Sequence, residues 1–404
     1  MTERIYYTDP YATEFDATVV NIEPVPDNGA RHGVVLDRTA FYPTSGGQPH
    51  DLGTLGAARV VEVTDRDDGN IVHVVEGAVE AGSVHGRIDW ARRFEHMQQH
   101  TGQHVLSAAF DRLLQVRTVS FHLGSASSTI DLAREVTADE IARAEREANR
   151  VVWEDRPVTI RFADAEEAAN LPLRKESRRD GVLRLIEVED FDVSACGGTH
   201  VARTGAIGII AVAASERFKG GTRLEFLCGG RTLSGFHALA DSVAASVRLL
   251  SVLPAELPAG IDRLQTDARE LRRQIKDLQA RLAGHEAADL AGRAESAGST
   301  RVVVAALDGW DANGLKAIAA AIAAQPGHVA LLLSAPAPSA IVIARARDVS
   351  LDSAAILKQM TATFGGKGGG RPELAQGGGL VGASDEMLRA ARALMQLSAL
   401  GPGS

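Results

Sequence analysis

Apolar and polar positions alternate in short runs over the first 90 residues. Ala17–Ile22, Gly33–Leu36, Ala58–Val63 and Ile71–Val75 are rich in β-branched side chains and separated by Gly, Asp and Asn clusters. Runs of that length between turn residues predict strands, and together a small β-barrel-like domain over residues 1–90. At Asp89 the period changes. Asp89 suits an N-cap, so a helix is expected from Trp90 to Leu114. Thr137 is the expected cap of a second helix over 137–153. Strands are expected at Ser127–Leu132, Val158–Phe162, Leu183–Val188, Gly208–Ala213 and Arg223–Cys228. Residues 91–235 therefore read as an α+β domain.

A different pattern starts at Asp262. Leu264, Ala268, Leu271, Ile275, Leu278 and Leu282 follow one another in steps of four and three. This is a heptad seam of about three repeats. It predicts a homodimeric coiled coil or a helical hairpin within a helical segment over 236–297, ended by Gly298 and Ser299, with the dimer favoured. Beyond it, strands at Arg301–Ala305, Val329–Leu333 and Ala340–Ala344 alternate with Ala-rich helices. They predict a compact, glycine-rich α/β domain over 298–404. The fold class expected for the whole chain is α+β.

The chain has 404 residues, 45% of them apolar, which excludes wholesale disorder. Only 4% are aromatic, which argues against base stacking as the main mode of recognition. The net charge of −9 argues against a protein that coats nucleic acid by general basicity. Residues 1–90 carry 6 basic and 15 acidic side chains, so a polyanion should meet the later regions. Two cysteines, Cys196 and Cys228, fit a reducing cytoplasm and exclude a disulfide scaffold. The N-terminus is polar where a signal peptide needs an apolar stretch. Pro336 and Pro338 interrupt the longest apolar region, Val329–Ala344, so no membrane span is expected.

Four stretches carry candidate chemistry. In His96-Met-Gln-Gln-His100-Thr-Gly-Gln-His104, residues four apart share one helical face. His100 and His104 then present two imidazoles to one ion, with His96 as a spare one turn earlier. In Cys196-Gly-Gly-Thr-His200 a thiol and an imidazole flank two glycines. Each pair alone is as well explained by packing, but together they supply Cys plus three His, a set suited to tetrahedral Zn²⁺. Thr101 stands where the zincin peptidases carry their glutamate base, so a peptidase is disfavoured. The third stretch, Phe41–Asp51, offers Thr44, Ser45 and Gln48 around Gly46 and Gly47; spacing alone favours a simple turn. The fourth, Gly365–Gly379, has eight glycines in fifteen residues with Lys367 and Arg371. It reads equally as a flexible loop and as a phosphate cradle, and it lacks the Ser or Thr that follows the lysine of a P-loop.

In this order, the four stretches resemble the editing half of alanyl-tRNA synthetase and its free-standing relatives, the AlaX proteins. Ser120-Phe-His-Leu-Gly124 and Phe218–Phe226 match as well, so the resemblance covers nearly the whole chain. The arrangement is similar to the long AlaX type, with no aminoacylation domain among these residues. The resemblance implies zinc at His100, His104, Cys196 and His200. It implies catalytic or pocket roles for His122, Thr44 and Gln48, with Thr44 recognising serine. Lys367 and Arg371, two cations beside the backbone N–H groups of the glycine run, are expected to contact tRNA phosphates from the C-terminal domain. The expected activity is zinc-dependent hydrolysis of tRNA(Ala) mischarged with serine, or with glycine, in the cytoplasm and without a membrane partner. The alternatives are a zinc-stabilised tRNA-binding module without hydrolysis, and editing in the threonine system.

Overall fold

The computed structural model describes residues 1–25, 31–164, 166–167, 170–171, 173–174, 181–335 and 337–395. Pro336 and residues 396–404, the end of the expected glycine-rich domain, lie outside these. The chain divides into two compact units, Met1–Ala245 and Ser246–Ser404.

The first unit opens with a closed barrel. Its strands are β1 (Glu14–Pro24), β2 (Arg31–Leu36), β3 (Gly53–Leu55), β4 (Ala58–Asp65), β5 (Ile71–Glu76) and β6 (Ser83–Ile88). They close in the order β1-β2-β5-β4-β3-β6. Alternation along β1 and β6 sends Phe15, Ala17, Val84 and Ile88 inward, onto a core with Val34, Phe41, Val60 and Ile71.

Helix α1 (Trp90–Leu114) follows at once. The Asp89 side chain accepts from the Arg92 backbone N–H, satisfying one of the donors a helix start leaves free. Two strands come next, β7 (Thr118–Leu123) and β8 (Ser128–Leu132), then α2 (Ala138–Trp153). Thr137 and Glu140 form a reciprocal capping box at the start of α2. Strands β9 (Val158–Ala163), β10 (Leu183–Val188) and β11 (Asp192–Ala195) make an antiparallel three-stranded sheet. Strands β12 (Ile210–Phe218) and β13 (Gly221–Cys228) join β7 and β8 in a four-stranded sheet ordered β12-β13-β8-β7. One face of that sheet, with Leu123, Ile130, Leu224 and Phe226, is buried in a core shared with α1 and α2. The barrel and these α+β layers bear out the expected fold class.

Helix α3 (Gly230–Leu250) runs across the boundary between the units. In the second unit, α4 (Leu257–Gly292) carries the heptads. It ends at Gly292, six residues before the expected stop, because a short strand, β14 (Glu295–Ala297), pairs with β15 (Thr300–Asp308). The rest is α5 (Ala312–Ala323), β16 (His328–Ala335), β17 (Ser339–Arg345), α6 (Ser353–Phe364), β18 (Lys367–Arg371), β19 (Leu374–Leu380) and α7 (Ser384–Leu394). The six-stranded sheet has the order β14-β15-β16-β17-β19-β18. The expected alternation holds only in part: β16 and β17, and β18 and β19, follow one another with no helix between, and within this sheet only β15 and β16 pair in parallel. The glycine run is neither loop nor cradle. It forms the antiparallel pair β18–β19, with β18 at the sheet edge. Among the described residues no single helix is long and apolar enough to cross a membrane.

Candidate metal centre

Helix α1 places His100 and His104 one turn apart on one face, and the chain after β11 brings Cys196 and His200 against them. Candidate ligand atoms of the four lie within 4.8 Å of one another. His100 Nε2 and His200 Nε2 each sit 3.3 Å from Cys196 Sγ. The three imidazoles are buried, and Cys196 is partly open.

Each imidazole is held from behind through Nδ1. His100 Nδ1 lies 2.8 Å from Gln48 Oε1. That oxygen also accepts from the Thr199 backbone N–H at 3.1 Å, while the Gln48 amide donates to the Thr199 hydroxyl. His200 Nδ1 lies 3.2 Å from Thr101 Oγ1, whose own hydrogen goes to the Met97 carbonyl. His104 Nδ1 lies 3.2 Å from Asp192 Oδ2. Gln48 Oε1, the engaged Thr101 hydroxyl and the carboxylate all act as acceptors, so Nδ1 carries the proton in each ring. Every Nε2 lone pair is then free to face the thiol, the usual outer arrangement of metal-binding histidines.

Burial, with His100 beside it, lowers His200 to about 3, so it is neutral near pH 7. Burial opposes a thiolate at Cys196, yet His100 and His200 bring its pKa well below the ordinary thiol value. Burial likewise opposes charge on Asp192, but the hydrogen bond from His104 and the Arg174 guanidinium hold it below the usual carboxylate range. Burial opposes charge on His104, but its hydrogen bonds to Asp192 and Cys196 raise its pKa. Three imidazole nitrogens with one thiolate sulfur are the donor set of Zn²⁺. These residues fit a zinc ion. His96 is outside the set: it is buried with neither ring nitrogen hydrogen-bonded, and burial lowers it to about 3.

Two glycines make the approach possible. A Cβ on Gly198 would stand 2.2 Å from His100 Cε1 and 3.0 Å from Gln48 Oε1. Gly47, at φ +81°, would place one 2.8 Å from the Phe121 ring. The Gly47 carbonyl accepts from Leu123 N–H at 3.1 Å, and the Phe121 ring lies 5.8 Å from that of His100. Two buried arginines lock the surrounding chain. Arg93 on α1 grips Asp51 through Nε at 3.0 Å and donates to the Pro10 carbonyl, pinning the Phe41–Asp51 segment to the helix. Arg184 on β10 donates through one nitrogen to the carbonyls of Cys196 (2.7 Å) and Gly198 (2.9 Å), and through Nε to that of Tyr7 (2.9 Å).

Of the expected site residues, the structure gathers His100, His104, Cys196, His200 and Gln48. Gln48 sits behind His100 as a positioning residue and is fully buried. Among the described residues no hydrogen bond connects Thr44 or His122 with the cluster. Thr44 is exposed, and its hydroxyl lies 2.9 Å from His50 Nδ1. His122 is exposed opposite Thr129. Strand alternation turns it away from Phe121, the neighbour that meets His100. The His122 side chain, expected in a catalytic or pocket role, is therefore not among the groups that meet the cluster. Lys367 and Arg371 are exposed, four apart on one side of β18. Asp192, Thr101 and Arg184 were not anticipated from the sequence. An acid four residues before Cys196 was the one local signal.

Comparison with known proteins matches three family models: tRNA synthetases class II (A) over residues 3–92, the threonyl and alanyl tRNA synthetase second additional domain over 183–225, and the DHHA1 domain over 299–397. The alanyl-tRNA editing protein AlaX-L of Pyrococcus horikoshii is 34% identical over 93% of this chain and 94% of its own length. The alanine–tRNA ligases of Pyrococcus abyssi and Natronomonas pharaonis are 33% and 35% identical, but the chain spans only 42% and 44% of them. The chain belongs to the family of long-form AlaX alanyl-tRNA editing proteins.

Proposed function

We propose that the chain is an aminoacyl-tRNA deacylase that hydrolyses the ester of tRNA(Ala) mischarged with serine, and with glycine as a second substrate. What carries the reading is the convergence of three Nε2 atoms and one thiolate sulfur, in a chain of an editing family. The chemistry requires a second site. A pocket sized for alanine rejects serine or glycine by only about 10²-fold, so errors must be removed by hydrolysis. His100, His104, Cys196 and His200 would hold zinc, which supplies Lewis acidity toward the ester or the attacking water.

Serine is distinguished from alanine by one hydroxyl. His50 donates from Nε2 to the Val61 carbonyl, 3.2 Å away, which leaves Nδ1 to accept from Thr44. The Thr44 oxygen, its hydrogen engaged, accepts from the His50 backbone N–H at 3.2 Å and keeps its second lone pair for the serine O–H. Alanine has no hydroxyl to use that lone pair, so serine gains a hydrogen bond that the correct product lacks. Gln48 holds the His100 ring, and Arg184 holds the chain around Cys196. Lys367 and Arg371 contact tRNA phosphates.

The test is a deacylation assay with seryl-, glycyl-, alanyl- and threonyl-tRNA in parallel. Hydrolysis of the seryl and glycyl esters with the alanyl ester spared is the expected result. Cleavage of seryl-tRNA(Thr), run as a further lane, with seryl-tRNA(Ala) left intact assigns the protein to the threonine system. Binding without cleavage of any ester makes it a zinc-stabilised carrier.

A further inference from the structure

Two arginines stand in the first turn of α1, where the positive end of the helix dipole disfavours a cation. Arg93 is compensated, being buried and paired with Asp51. Arg92 is not. Its Nε donates to the His50 carbonyl at 3.0 Å, and among the described residues its guanidinium has no other hydrogen bond and no ion pair. The side chain is thus anchored at one nitrogen, with both Nη groups uncommitted. Arg92 stands at the rim of a cleft of about 840 Å³ between α1 and the first turns of α3. Phe94, Leu227 and Ala238 give the cleft apolar walls, and Glu95 brings a carboxylate to it. Glu95 Oε1 accepts from Arg231 Nε at 2.7 Å, and Arg231 also donates to the Gly124 carbonyl, so the carboxylate is fixed. Among the described residues its Oε2 has no hydrogen bond. Glu95 lies about two and a half turns before His104, so the cleft is on the flank of α1 turned away from the metal ligands. On its other side Arg92 is tied to Thr44, because the His50 that it holds lies 2.9 Å from Thr44 Oγ1 through Nδ1.

We propose, resting on the deacylase reading above, that Arg92 binds the phosphodiester between the last two nucleotides of the tRNA, and that the cleft beyond it takes the penultimate base, a cytosine. The order of groups in the substrate matches the order of residues. The serine hydroxyl is at Thr44, the terminal ribose follows, the phosphate is at Arg92, and the preceding nucleotide lies past it. A guanidinium held at Nε presents its two Nη groups to a phosphate as a fixed fork. The Oε2 of Glu95 accepts from the N4 amino group of cytosine and repels the O4 of uracil, and the apolar walls cover the ring. Arg92 also follows directly on the acidic barrel, so it is among the first cations that a polyanion avoiding residues 1–90 meets.

The test uses the full zinc-loaded chain and an uncharged hairpin RNA that copies the acceptor stem of tRNA(Ala) and ends in single-stranded CCA. Binding is read by fluorescence anisotropy. A neutral methylphosphonate in place of the last phosphodiester should weaken binding about 10-fold, and Arg92→Ala should weaken the unmodified hairpin equally. The two together should cost little more than either alone, because they remove one and the same contact. Uridine in place of the penultimate cytidine should weaken binding about 10-fold, in the unsubstituted chain and in Arg92→Ala alike. The methylphosphonate and uridine hairpins test the unsubstituted chain, so they decide the matter even where the variant fails to fold. Unweakened binding of the methylphosphonate hairpin, losses that add in full, or equal binding of the cytidine and uridine hairpins overturns the proposal. Because the hairpin carries no amino acid, failure here is distinguishable from failure of the deacylation assay.

Discussion

Gln48 Oε1 stands 2.8 Å from His100 Nδ1, joining a turn of the barrel to the helix that carries the histidine pair. The same oxygen takes the Thr199 N–H, so one amide fixes both a ligand ring and the chain next to His200. The barrel therefore helps to build the His/Cys cluster as well as flanking it. Gln48→Ala should keep the fold but lower zinc affinity by about 10- to 100-fold, as for other partners behind metal-bound histidines. Competition with a chromophoric chelator measures it. Unchanged affinity would show that His100 needs no such support.

Gly198→Ala should be worse. The new methyl meets the His100 ring at 2.2 Å, and Arg184 holds the loop from its other side, so relief requires moving a ligand. Loss of bound zinc with a native far-UV spectrum is expected, read by elemental analysis and circular dichroism. A one-to-one zinc content would mean that the loop gives way easily.

Arg184 makes a sharper test of positioning. Arg184→Lys keeps the charge but cannot reach the carbonyls of Tyr7, Cys196 and Gly198 together. Faster zinc release to a chelator and a lower kcat for seryl-tRNA, with KM little changed, are expected. A normal release rate would leave Arg184 with a purely structural role.

Stability should depend on pH through His73. Burial lowers this barrel imidazole to about 4, although it donates to the Val34 carbonyl. Its unfolded value is near 6.5, so between these values the unfolded chain binds a proton the folded chain refuses. Stability is therefore full above about pH 6.5 and falls as the pH drops to about 4, by roughly 3 kcal/mol for this group. Denaturant unfolding across that range should show the loss, and His73→Gln should shrink the slope. An unchanged slope would assign it to other groups, His96 first among them.

Much of the fold could be read along the chain because its signals are local. Asp89 and Thr137 announced α1 and α2 through capping, and heptad spacing announced α4. The glycine run misled because residues without side chains cannot display the alternation that marks a strand. The early end of α4 was hidden because β14 has only three residues and is held by pairing with β15. The four ligand residues were legible as two short motifs. Their support was not legible from spacing: Gln48, expected only through the family resemblance and in another role, lies 52 residues from His100, Asp192 88 from His104, and Thr101 99 from His200. No spacing rule reaches across such separations.

Lys367→Ala with Arg371→Ala should weaken tRNA binding without changing its cleavage. The expected signature is a raised KM, a nearly unchanged kcat, and a salt dependence of binding shallower by about one to two contacts. The same affinity at moderate salt would remove β18 from the RNA interface.

The proposed zinc-dependent hydrolytic centre for mischarged tRNA(Ala), formed by His100, His104, Cys196 and His200, is open to direct test by metal titration. The direct measurement strips the protein with a chelator, restores zinc in steps, and follows deacylation of seryl-tRNA(Ala) at each step. The rate should rise in proportion to bound zinc and level off at one equivalent, and Cys196→Ala should stay inactive throughout. Full activity in the stripped protein, or intact seryl-tRNA(Ala) at one equivalent of zinc, would contradict it.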